Sequence, residues 1–172
     1  MSDGQGGRPT PLEDVRVIEI SDRIAASCCG KLLVDAGADV RKIEPAQGDW
    51  LRRYTASGST VADGADSPLF SYLNAGKRSL TWPGVDLGAE LAGADIIVVT
   101  ATRSQAADWG IDPERLLAEY PRAVVVTISD FGWTGRYADR AASEFTLQAW
   151  SGLTGFRGDP AGPPISIGGD LG

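Results

Sequence analysis

The chain's pattern predicts an α/β fold with a Rossmann-like, doubly wound and mainly parallel sheet, helices lying on both faces. Three observations carry that expectation. Short apolar runs rich in β-branched residues recur along the chain, helical apolar periodicity fills the stretches between them, and glycine, proline or a capping residue marks each change. The span from Val15 to Pro45 holds one complete unit. Val15 to Ile20 reads as a strand buried on both faces. Ser21 and Asp22 can cap the helix that follows, in which Ile24, Cys28, Leu32 and Ala36 recur at helical spacing and Ala25, Cys29 and Leu33 widen the stripe. Gly37 supplies the stop, and Asp39 to Glu44 is the second strand, ended by Pro45. A strand-helix-strand crossover is right-handed in nearly all cases, so it implies a parallel sheet. Ligands of such sheets sit at the carboxyl ends of the strands, which points first at the turn from Ser21 to Ala25.

The later elements repeat the theme. Gln47 to Ser67 reads as a long loop, with Arg52 and Arg53 as a solvated basic pair. Pro68 to Asn74 is a short helix, Asn74 to Ser79 an exposed basic turn around Lys77 and Arg78, and Ser79 to Trp82 a strand. Val85 to Ala92 reads as a short helix, and Asp95 to Thr100 as a buried strand that delivers Thr100, Ala101 and Thr102 to the ligand edge. Gln105 to Trp109 is a helical turn, while Asp112 as cap and Pro113 at the first position open a helix over Glu114 to Tyr120. Ala123 to Ser129 is the next buried strand, and Ser143 caps an amphipathic helix running to Ser151. The turn Gly168, Gly169 and Asp170 presents a carboxylate, a possible nucleophile or base.

Composition narrows the chemistry. The 172 residues, 42% hydrophobic and 23% charged, suit one globular domain with a real core. Residues 1–10 are expected to be a disordered leader, and residues 11–172 the folded domain. A net charge of −7 repels nucleic acid and anionic membrane at long range. No apolar run approaches the roughly 20 residues that span a bilayer, and the polar, glycine-rich start is unlike a signal peptide, so a cytoplasmic place is expected. Adjacent Cys28 and Cys29 have no disulfide or metal spacing and read as small core residues. The absence of histidine removes Ser-His-Asp hydrolysis, imidazole bases and most zinc sites, and no metal is expected. The first strand is followed by SDRIAASCCG rather than G-x-G-x-x-G, which argues against nicotinamide-dependent oxidoreduction. Without those glycines Glu44 reads as a solvated strand end.

Six segments in one order, PLEDVRVIEISD, LLVDAGADVRKIEP, SYLNAGKRS, ADIIVV, PRAVVVTISDFGWTGRYADR and QAWSGLTGFRGDPAGPP followed by GGD, resemble the N-terminal half of family III (CaiB/BaiF-type) CoA-transferases. The resemblance runs from Pro11 onward. It implies a CoA-binding Rossmann-like domain, acyl-CoA and a small carboxylic acid as substrates, and a homodimer interlocked as rings in the full-length protein. Its catalytic aspartate falls on Asp170, which in the transferases attacks the thioester and passes through a mixed anhydride to an aspartyl-CoA thioester. CoA contacts carried over by the resemblance fall on Ile24 and Ala25, on Trp82, and on Thr100 and Ala101.

The sequence departs from the family at several of these places. Pro45 follows Glu44 where an arginine contact to CoA is often found, and Val99, Thr100 and Ala101 replace an acidic-Asn-Phe sequence. Ser143, followed by Glu144, stands where the racemase branch needs histidine, so racemisation is not expected. These departures motivate a second expectation, a non-catalytic CoA-binding or scaffolding module that is the degenerate or truncated half of a tandem or split protein.

Overall fold

A computed structural model of the chain describes residues 10–21 and 23–168. The leader expected over residues 1–10 therefore lies almost wholly outside the described residues. Strands β1 (Arg16–Ile20), β2 (Asp39–Pro45), β3 (Arg78–Trp82), β4 (Ile96–Val99) and β5 (Val124–Thr127) form one sheet in the order β3-β2-β1-β4-β5. Every neighbouring pair is parallel, with Glu19 of β1 directly beside Lys42 of β2 and Val98 of β4. The strand order reverses between β1 and β4, which makes the carboxyl end of that pair the topological switch point.

Alternation along the strands divides the core in two. Ile18, Ile20, Ile43, Ile97 and Val99 face α3 (Leu87–Ala92), α4 (Arg103–Trp109) and α5 (Pro113–Glu119), where Leu91, Ala106, Ile111 and Leu116 complete a buried cluster. Val17, Val40 and Val98 face the other way and pack on Ala26, Cys29 and Leu33 of α1 (Ile24–Asp35), against which α2 (Pro68–Asn74) lies. The doubly wound α/β fold predicted by the periodicity is thus the fold observed.

Local chemistry accounts for the helix ends. Gly37, at φ +104°, turns the chain after α1 while its own amide and that of Ala38 return to the carbonyls of Val34 and Leu33. Ser67 caps α2 and Asp112 caps α5, each with proline at the first position, and Thr102 closes a reciprocal capping box with Gln105 on α4.

Several expectations are corrected. Cys28 is exposed, and only Cys29 packs into the core. The span from Gln47 to Ser67 contains a 3₁₀ turn, Trp50–Arg53, because Leu51 is fully buried and anchors it. Arg52 in that turn is not a solvated cation: it pairs with Glu44 and Asp66 and lies 4.0 Å over the Phe70 ring. On α6 (Glu144–Trp150) the buried residue is Gln148, while Phe145 and Trp150 are exposed, so the expected amphipathic face is reversed.

Candidate functional site

The turn after β1 converges with the ends of β2, β3 and β4 at the switch point. Ser21 Oγ accepts from the Arg23 amide at 2.9 Å and is hydrogen-bonded to Thr100 Oγ1, which ties the β1–α1 turn to the end of β4. Asp22 lies outside the described residues. Among those described, no side chain caps the N-terminus of α1, whose first turn opens at the rim. Such a terminus favours negative charge through its orphan donors and the helix dipole.

Of the residues predicted from the sequence, Ile24 and Ala25 open α1, Thr100 is buried beside Ser21, and Ala101 follows half-buried. Trp82 ends β3 two strands away from β1, on the sheet face covered by α3 to α5. It lies 6.3 Å from Trp109, ring to ring, in an apolar cleft with Ile20, Ile43, Leu87 and Ile111. Ser21 also lines that cleft, so the two groups of residues share one rim. Asp170 lies outside the described residues. The chain approaching it is held at Ile167, whose amide donates to Gln148 Oε1 at 2.8 Å and whose carbonyl accepts from Gln148 Nε2 at 3.2 Å.

Beneath the rim, on the α1 face, lie four charged side chains. Glu19 is 0% and Lys42 1% exposed. Lys42 Nζ is 2.8 Å from Glu19 Oε1, 2.9 Å from Asp49 Oδ2, and donates to the Ser21 carbonyl at 2.6 Å. Lys77 Nζ reaches Glu19 Oε2 at 2.7 Å, the Ser27 carbonyl at 2.8 Å and Asn74 Oδ1 at 3.0 Å. The predicted exposed basic turn is therefore half wrong: Lys77 is buried while Arg78 is exposed. Burial disfavours both ammonium ions, but Glu19 and Asp49 outweigh it at Lys42 and hold that group above the usual lysine range. At Lys77 burial wins over Glu19, with the Lys42 charge adding to it, and the group is held below that range.

Glu44 corrects a further expectation, since it is buried rather than solvated. Arg52 Nε and Nη2 each donate to it at 2.8 Å, joined by Ser79 Oγ at 2.6 Å and the Asp49 amide at 3.1 Å. Burial raises its carboxyl, but these hydrogen bonds and the Arg52 charge prevail and hold it below the usual carboxylate range. Burial also pushes the Cys29 thiol up, helped by Glu19, which leaves it a poor nucleophile. Among the described residues no group of three or more Cys, Asp or Glu side chains could hold a metal ion.

Sequence reading missed Glu19, Lys42, Asp49 and Lys77 as a unit. Two signals were present. Glu19 is an acidic residue inside a β-branched run, and Gly30 sits in the middle of α1, where a Cβ would clash with Glu19 Oε2.

Fold and rim together define a doubly wound α/β protein with an apolar cleft at its switch point. Its relatives identify the family: the model for CoA-transferase family III matches residues 12–172, and the chain belongs to that family. It is 35% identical over 170 residues to a succinate–glutarate CoA-transferase of Agrobacterium fabrum, covering 94% of this chain and 42% of that protein. It is 32% identical over 177 residues to a succinyl-CoA–D-citramalate CoA-transferase of Chloroflexus aurantiacus, covering 95% of this chain and 42% of that one. Among solved structures, a CaiB/BaiF family protein from Brucella suis superimposes with a TM-score of 0.83 at 30% identity, over 95% of this chain and 45% of that one. The chain thus spans less than half the length of the relatives it matches.

Proposed function

We propose that this chain is the CoA-binding portion of an enzyme that moves CoA from an acyl-CoA thioester to a small carboxylic acid, with Asp170 as the nucleophile. One observation carries the reading: the match to CoA-transferase family III spans residues 12–172 and so includes the Gly168, Gly169, Asp170 sequence. The first turn of α1 at Ile24 and Ala25, the neighbouring Thr100 and Ala101, and the apolar cleft at Trp82 support a CoA site along the rim. Relatives named for succinate, glutarate and citramalate favour short dicarboxylic acids as partners. The full-length protein is read as a homodimer, and a cytoplasmic place fits its substrates. No helix among the described residues is long and apolar enough to cross a membrane.

In the proposed reaction a carboxylate oxygen of Asp170 attacks the thioester carbon, the C–S bond breaks, and CoA thiolate leaves a mixed anhydride. The thiolate attacks the aspartyl carbonyl of that anhydride, which releases the donor acid as its carboxylate and leaves an aspartyl-CoA thioester. The acceptor carboxylate then runs the same two steps in reverse order and regenerates Asp170. Carboxylate and thiolate exchange at every step and no proton is transferred, so a chain without histidine is equipped for it. What the protein supplies is desolvation of a weak nucleophile and donors for the developing oxyanion.

The test is exchange of CoA between succinyl-CoA and unlabelled dicarboxylic acids by the full-length protein. Asp170→Ala is expected to abolish exchange while CoA binding is kept. Exchange that survives the substitution removes Asp170 from the mechanism.

A further inference from the structure

The buried charges beneath the rim have no part in the reaction just described, and stability alone is a poor reason for them. Replacing a buried ion pair with apolar side chains is often neutral or stabilising. The fold also concedes a glycine in the middle of α1 to make room for Glu19 and Lys77. What the arrangement secures is position. Lys42 Nζ holds the Ser21 carbonyl from below at 2.6 Å and Asp49, in the connection after β2, at 2.9 Å. Ser21 in turn holds Thr100 at the end of β4. Three connections at the carboxyl edge, after β1, β2 and β4, are thereby fixed through one ammonium group and the residue it grips. Glu19 fixes that ammonium, and Lys77 fixes Glu19 from the connection before β3.

We propose that Lys42 is a positioning residue of the CoA site, acting through the Ser21 carbonyl to orient the first-turn amides of α1. The ammonium itself is sealed beneath the turn and does not touch the ligand. The inference rests on the CoA site proposed above, but it has a readout that does not.

A charge-balanced variant, Lys42→Met with Asp49→Asn, removes one cation and one anion and leaves the Glu19–Lys77 pair intact. The amide side chain introduced by Asp49→Asn retains an oxygen for the Leu51 amide that Asp49 now caps. Two measurements decide the matter in the full chain: calorimetric titration with CoA, and amide hydrogen exchange without ligand. The expected result is CoA binding weakened about tenfold or more, as misplaced site geometry costs such factors. Exchange is expected to quicken at Ser27, whose amide closes the first turn of α1 on the Arg23 carbonyl, while the amides of β4 keep their protection. Unchanged exchange at α1 overturns the proposal, as does CoA affinity within about twofold of the parent. A variant that fails to fold overturns it too, because the ions would then serve the fold as a whole. If the parent protein binds no CoA, the CoA site falls, and the exchange measurement still decides whether Lys42 sets the turn.

Discussion

The two faces of one sheet are built on opposite principles. On the face covered by α3 to α5, Ile18, Ile20, Ile43, Ile97 and Val99 fill the interior, and Arg41, the one strand residue there to carry a charge near the middle, turns out to a part-exposed Glu90. On the face covered by α1 and α2, the same register brings Val17 and Val40 beneath Glu19, Lys42 and Glu44, all buried. Apolar packing is non-directional and holds layers together. A buried ion network is directional, and each of its hydrogen bonds names an atom to be held. The charged half lies under the turn at Ser21, and the apolar half ends in the cleft at Trp82, so the proposed ligand site draws on both.

Single substitutions break this comparison most sharply. Lys42→Met alone strands Glu19 and Asp49 without their shared cation and is expected to cost about 3–5 kcal/mol. On the apolar face Ile97→Ala leaves a cavity and is expected to cost about 3 kcal/mol, without altering the pH dependence of stability. Denaturant titration of both variants at several pH values checks the pair.

A smaller effect, but one of diagnostic sign, comes from Gly30→Ala. In an ordinary helix interior that change gains about 1 kcal/mol. Here the new methyl group would meet Glu19 Oε2 and Lys77 Nζ, at 2.0 and 2.9 Å, so a net loss of about 1–3 kcal/mol is expected. A thermal melt showing a more stable variant would mean that α1 does not press on the ion network.

The smallest change concerns Glu44. Its folded-state pKa is depressed, so its contribution to stability is present above the ordinary value of 4.5 and is lost as pH falls through the folded value. Glu44→Gln is expected to cost about 1–2 kcal/mol at neutral pH and to flatten the acid limb of the stability profile below pH 4.5. An acid limb as steep as the parent's would assign that sensitivity to other carboxyls.

How much of this was legible in the sequence follows the reach of the interactions. The strands, the stop at Gly37 and the caps at Ser67, Asp112 and Ser143 are set by neighbours within a few residues, and periodicity and residue type expose them. Glu19 finds its partners 23 and 58 residues away, and Arg52 is drawn from solvent by Glu44 and Asp66, 8 and 14 residues distant. A charge reads as solvated when its partner is known only after the sheet has assembled, and that is why Glu44, Lys77 and Arg52 were misjudged. Trp82 and Ile24 were chosen through family resemblance, and only the tertiary fold brings them to one rim on opposite sides of Ser21.

Amide chemical shifts followed while CoA is titrated into the protein test the central claim most directly. Saturable shifts at Ile24, Ala25, Thr100 and Ala101, with the indole of Trp82 responding at the same midpoint, are the predicted result. Saturable shifts confined to the amino ends of the strands, or none at all from a folded chain, would contradict it.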